Sequence, residues 1–167
     1  TRRASPAWPC SPGPADTAIV PAPSDVVVST DITVGAITNN GTLTIQGTCG
    51  LFASVVNTGI VNVNGTGEST IRRLDNDGIF NVNTGALRAG ANNTSETGAY
   101  SVAAGSTLEF GLVNGFDNGI RTFSGNMSVA GALRFTFAGF TATAGTITFN
   151  SGATQTLADM QREAAVA

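Results

Sequence analysis

The chain has no histidine, and all eight of its cations are arginine. The commonest general base, the commonest transition-metal ligand and the usual switch near neutral pH are therefore missing together. A serine-histidine-acid triad is excluded outright. Charged residues make up only 11% of the chain, against about a quarter in an ordinary soluble domain, so solubility rests on neutral polar side chains. A nucleic-acid partner needs cations to neutralise phosphates. With a net charge of −3 and no basic stripe, the chain is not expected to bind one. No apolar run approaches the roughly 18 to 20 residues of a spanning helix, so no membrane span is expected. Two cysteines, Cys10 and Cys49, are too few for a disulfide framework and fit no zinc spacing. They either pair in an oxidising compartment or remain a buried thiol and a tail thiol.

Proline also stops early. Pro6, Pro9, Pro12, Pro14, Pro21 and Pro23 are the only six, and the chain beyond them has none. Proline removes a ladder hydrogen bond, so residues 1–24 read as a head or N-terminal cap and the remainder as sheet. At 167 residues one domain with a continuous core is expected. The start at Thr1 reads as a mature product or a fragment, from which the loss of a signal peptide would leave no trace.

What the chain does have is a repeat: glycine, any residue, apolar, polar, apolar. The copies are Gly41-Thr-Leu-Thr-Ile45, Gly59-Ile-Val-Asn-Val63, Gly78-Ile-Phe-Asn-Val82, Gly98-Ala-Tyr-Ser-Val102, Gly125-Asn-Met-Ser-Val129 and Gly145-Thr-Ile-Thr-Phe149. Successive copies start 18, 19, 20, 27 and 20 residues apart, and each meets a second glycine six or seven residues on. On a strand the two apolar residues face one side and the polar one the other. The pairs from Leu43/Ile45 to Ile147/Phe149 should stack inside, and Thr44, Asn62, Asn81, Ser101, Ser128 and Thr148 should form an outward ladder. Glycine at the corners suggests turns with positive φ. A period near 20 residues is about the perimeter of a three-sided coil, which buries its apolar side only by stacking on neighbours.

The expected fold is all-β, a right-handed parallel β-helix of six to seven coils over residues 25–157, about 30 Å long at the strand spacing. A sandwich of antiparallel hairpins is the rival arrangement. Residues 158–167 abandon the pattern and are rich in helix formers, which suggests a short helical cap or a tail. The long fifth interval holds Leu112-Val-Asn-Gly-Phe-Asp-Asn-Gly-Ile120. It reads either as an inserted binding loop, with Phe116, Asp117, Asn118 and Arg121 as candidate contacts, or as a wider coil with one more short strand.

Trp8, Pro14, Asp16-Thr-Ala-Ile-Val-Pro21, Val26-Val-Val and Val34-Gly-Ala-Ile-Thr-Asn-Asn-Gly-Thr-Leu-Thr-Ile45 resemble the opening coils of bacterial secreted β-helix repeat proteins. The segment Gly145-Thr-Ile-Thr-Phe-Asn-Ser-Gly-Ala-Thr-Gln-Thr156 is likewise similar to a stretch common in such repeats. The family implied is that of filamentous-haemagglutinin-like adhesins and autotransporter passengers. The resemblance implies a secreted or cell-surface location and a structural or adhesive role. Its motifs are the solenoid's own punctuation, specific for the fold and uninformative about a ligand.

The most polar cluster is Glu68, Arg72, Arg73, Asp75 and Asp77. Asp75-Asn-Asp-Gly78 has the alternating oxygens of calcium loops but lacks their glutamate, and a solvated turn is the stronger reading. Arg72 and Arg73 suit a sugar-acid carboxylate, or ion pairs with the nearby acids. A polysaccharide lyase or glycoside hydrolase would use Asp75, Asp77 and Asp117. A threonine array against ice fails because the intervening outward positions are Asn and Ser. The reading adopted is a non-catalytic structural or adhesive segment that needs no cofactor. Its expected partners are surface glycans or neighbouring copies of itself, the latter stacking into a filament if the rod ends are uncovered.

Overall fold

A three-sided coil is what the repeat builds. The computed structural model describes residues 13–90, 95–111, 113, 121–136, 140–142, 147–150 and 154–157. The first coil runs through β1 (Thr17–Val20), β2 (Asp25–Val28) and the beginning of β3 (Ile32–Asn39). The second uses the end of β3, then β4 (Thr42–Ile45) and the start of β5 (Gly50–Asn57). The end of β5 and most of β6 (Ile60–Asn76) make the third, and the end of β6 with β7 (Ile79–Ala89) makes the fourth. The fifth contains β8 (Ser95–Glu96), β9 (Ala99–Val102) and β10 (Thr107–Phe110). The sixth contains β11 (Arg121–Phe123), β12 (Met127–Val129) and β13 (Ala132–Phe135). The last coil follows through β14 (Phe140–Ala142), β15 (Ile147–Phe149) and β16 (Thr154–Leu157).

Six turns therefore separate β1 from β14, and every strand pairing among the described residues is parallel. The antiparallel sandwich is excluded and the fold is a β-solenoid, with no helix among the described residues. Face one stacks β1, 36–39, 54–57, 73–76, β8, β11 and β14. Face two stacks β2, β4, 60–63, 79–82, β9, β12 and β15. Face three stacks 32–33, 50–52, 68–71, 86–89, β10, β13 and β16. Β-sheet pairing is unbroken on faces two and three, whereas β8, β11 and β14 form a separate three-stranded sheet. Among the described residues no pairing joins 73–76 to β8.

Face two follows the repeat in register. Leu43, Val61, Phe80, Tyr100, Met127 and Ile147 align, as do Ile45, Val63, Val82, Val102, Val129 and Phe149. From Leu43 to Val129 these side chains are buried. The residues between them point outward, as alternation requires. Aliphatic stacks fill the early coils and aromatic ones the later. Tyr100 lies 5.5 Å from Phe80, 5.6 Å from Phe110 and 5.7 Å from Phe123, ring centre to ring centre. Such tilted and edge-on contacts suit the aromatic quadrupole.

Glycine serves the two corners of the repeat differently. At the second corner, Gly47, Gly85 and Gly105 have φ between 75° and 80°, which side chains rarely adopt. At the first corner the requirement is closeness, because a Cβ on Gly59 or Gly78 would collide with the carbonyl oxygen of the glycine one coil below. The segment read as a head carries the first strand, β1, which pairs with β3. The segment read as a helical cap, 158–167, lies outside the described residues.

Candidate functional site

The cluster singled out in the sequence is dispersed by strand alternation. Arg72 and Arg73 are half-buried in β6 where face three turns into face one, and Asp75 is half-buried between the inward-pointing Leu74 and Asn76. Asp77 is exposed, and its Oδ1 accepts hydrogen bonds from the backbone N–H of Thr97 at 3.0 Å and from Thr97 Oγ1 at 2.7 Å. It ties the fourth coil to the fifth. Because Asn76 faces the interior, Asp75-Asn76-Asp77 does not offer three oxygens to one ion. Among the described residues no group of three or more Asp, Glu, Cys or His side chains is placed to hold a metal. Phe116, Asp117 and Asn118 lie outside the described residues. Arg121, read as a contact of the same loop, is instead 1% exposed and points into the core.

Inside face one runs a polar ladder that the apolar repeat does not announce. Asn39, Asn57 and Asn76 are fully buried. Asn39 Nδ2 donates to Asn57 Oδ1 at 2.7 Å, and Asn57 Nδ2 donates to Asn76 Oδ1 at 2.7 Å. Further bonds run from Asn39 Nδ2 to Ile60 O at 2.9 Å and from Asn57 Nδ2 to Ile79 O at 3.3 Å. Each asparagine sits two residues before the glycine that opens a face-two strand, at Gly41, Gly59 and Gly78. The next residue in that position is Glu96, before Gly98. The row of amides is thus followed by a carboxylate at the start of the three-stranded sheet.

Glu96 and Arg121 are both buried and form an ion pair, Arg121 Nη1 donating to Glu96 Oε1. The Tyr100 hydroxyl donates to Glu96 Oε2. Arg121 Nη2 donates to Gly90 O at 2.6 Å, and the guanidinium carbon lies 4.4 Å from the centre of the Phe110 ring. Burial pulls the guanidinium down to about 9 against an opposing pull from Asp75, so it remains charged at neutral pH, and the touching Glu96 carboxylate favours that charge further. Burial holds the Tyr100 phenol well above its ordinary value. The cluster is a charged pin across the fifth and sixth coils. One sequence signal for it existed: Arg121 alternates with Thr122 and Phe123, in phase with the inward residue.

The three outer faces differ in charge. Face three carries a ladder of ion pairs, with Arg88 Nη2 3.6 Å from Glu68 Oε2 and Arg88 Nε 2.9 Å from Glu109 Oε1. Thr136 Oγ1 donates to Glu109 Oε1 at 2.8 Å, and Arg134 aligns with Glu109 in register. Face one carries Arg73 and Asp75. Among the described strand residues of face two the only charged one is Asp25, in the first coil, and β4, 60–63, 79–82, β9, β12 and β15 contain no ionisable acid or base other than the inward Tyr100.

Face two presents hydrogen-bonding side chains in rows instead. Asn81 Nδ2 donates to Asn62 Oδ1 at 2.9 Å, Asn83 Nδ2 to Asn64 Oδ1 at 2.9 Å, and Asn150 Nδ2 to Ser128 Oγ at 3.3 Å. Beside these rows Ile60 is 37% and Ile79 48% exposed, forming an aliphatic rail that Ala99 continues one coil higher. A shallow open depression on the later coils is bordered by Ala99, Asn126, Ser128 and Thr148. No known family, characterised protein or solved structure matches this chain. The chemistry must be read from its own surface. That surface offers one face with no charged strand residue beyond the first coil among the described residues, and another, face three, on which Glu68, Arg88 and Glu109 pair with one another.

Proposed function

We propose that the chain is a non-catalytic structural or adhesive segment of a secreted or cell-surface protein, with surface glycans or further copies of itself as partners. The observation that carries this reading is where the charged groups go. Asp31 accepts from Gly50 N–H at 2.7 Å, Asp77 holds Thr97, Glu68, Arg88 and Glu109 form one ladder, and Glu96 pairs with Arg121. Each contact joins one coil to another, which is what a stiff rod needs and differs from a pair of carboxylates converging on a substrate. The resemblance to bacterial β-helix repeat proteins supports the same reading, as does the sparse charge, since a rod of this composition stays soluble through amides and hydroxyls.

The test is to incubate the purified chain with a panel of polysaccharides, with and without calcium, recording both retention and new reducing or unsaturated ends. Retention without cleavage is expected. New ends that vanish in an Asp75→Ala/Asp77→Ala variant would overturn the proposal and make the chain a polysaccharide-cleaving enzyme.

A further inference from the structure

We infer that the outer surface of face two is a binding track for a neutral, extended polysaccharide lying along the solenoid axis. This inference rests on the adhesive reading above and adds the ligand class and the place. Its starting point is the contrast in charge between the faces. A glycan bearing carboxylates or sulfates is recognised by arginine forks, and no arginine or lysine lies on the face-two strands from β4 to β15. A neutral sugar chain asks for something else: hydrogen-bond donors and acceptors for its hydroxyls, and an apolar strip for the C–H faces of its rings.

Face two has both, in register. Thr44, Asn62, Asn81, Ser101, Ser128 and Thr148 occupy the same position in successive coils, about 4.8 Å apart, a step similar to the advance of an extended sugar chain per ring. Asn62 and Asn81 are fixed by their mutual bond, which lowers the entropy lost when a ligand binds. Each amide has more donor and acceptor sites than that bond uses. Ile60 and Ile79 stand half-exposed and aligned alongside, giving the apolar strip that ring C–H faces need. The depression bordered by Ala99, Asn126, Ser128 and Thr148 continues the track into the later coils, where the isoleucine rail gives way to alanine.

The experiment is affinity electrophoresis of the full chain in gels containing galactomannan, xyloglucan or mixed-linkage β-glucan, with polygalacturonate as the anionic comparison. Three variants accompany it: Asn62→Asp/Asn81→Asp, Ile60→Ser/Ile79→Ser, and Arg134→Ala on face three. The second pair guards against misfolding of the first, since neither isoleucine is in the core. Retardation by at least one neutral glycan is expected, unaffected by added salt and by Arg134→Ala, and about tenfold weaker in both face-two variants. Loss of no retardation in either variant overturns the inference, as does the absence of retardation in all three neutral gels. Retention by polygalacturonate alone, abolished by salt, overturns it as well while leaving the adhesive reading intact. A self-associated chain that the face-two variants render monomeric would assign the face to a second copy and also overturn it. Release of new glycan ends, by contrast, would count against the proposed function itself.

Discussion

Asparagine in a hydrophobic interior is costly unless its amide is hydrogen-bonded, and Asn57 is bonded on both sides, donating to Asn76 and accepting from Asn39. Asn57→Ala removes one of the two bonds that Asn39 Nδ2 donates and one of the two that Asn76 Oδ1 accepts, leaving Ile60 O and Gly78 N–H as their partners, and we expect a loss of about 1 to 3 kcal/mol, read from the midpoint of urea unfolding. The Glu96–Arg121 pin behaves differently. Removing one partner strands the other charge, so Arg121→Met and Glu96→Leu should each cost about 3 to 5 kcal/mol. The double variant should recover much of that loss, and a double-mutant cycle by thermal unfolding measures it; strictly additive losses would mean the two groups do not depend on each other. Tyr100, the only tyrosine in the chain, reports on the same cluster. Its phenol is raised by burial, with Asp75 and Asp77 adding to the rise and Asn76 opposing it. The stabilisation from keeping it protonated is complete below about pH 10 and disappears as pH rises through the folded value, because the unfolded chain ionises first. Phenolate absorbance should therefore appear together with the loss of circular dichroism during alkaline titration, and phenolate that forms while the fold persists would refute the buried placement.

At the scale of the strand and its corner, glycine is required by the coil below as much as by the local turn. A methyl group on Gly78 meets Gly59 O, and one on Gly98 meets Gly78 O. Gly78→Ala should therefore destabilise by about 1 to 3 kcal/mol through overpacking, whereas Gly47→Ala should act through its positive φ alone, since nothing lies within 4 Å of the position a Cβ would take. Comparing the two variants by thermal unfolding with crystal structures separates the causes: the coil spacing should change only at Gly78. The repeat itself was legible because two-residue alternation and regular glycines are one-dimensional signals. The polar ladder beneath it was harder to see. Asn39, Asn57 and Asn76 keep a constant distance from the next glycine, but asparagine is frequent throughout the chain, and only the strand register showed which asparagines face inward.

Across the whole molecule, each coil contacts chiefly its neighbours, so stability sums over adjacent interfaces. Among the described residues β1 and β2 each pair with a strand on one side only, and Val26, inward by alternation, is still 37% exposed. Amide exchange should be slowest in the central coils, from β4 through β9, and faster in β1 and β2; uniform protection along the chain would point to end coils covered by another surface. The sequence by itself determined the solenoid, its three-sided period, and which face-two residues point in or out, because alternation and glycine spacing follow from local backbone geometry. It also excluded histidine chemistry by composition alone. Only the tertiary structure decided that Asp75 and Asp77 flank an inward asparagine, that Arg121 is a core residue paired with Glu96, and that paired charges occupy face three while the described strands of face two carry none beyond the first coil. Those facts depend on which coil lies on which, and residues 18 to 27 apart in the chain become neighbours only when the register of the stack is fixed.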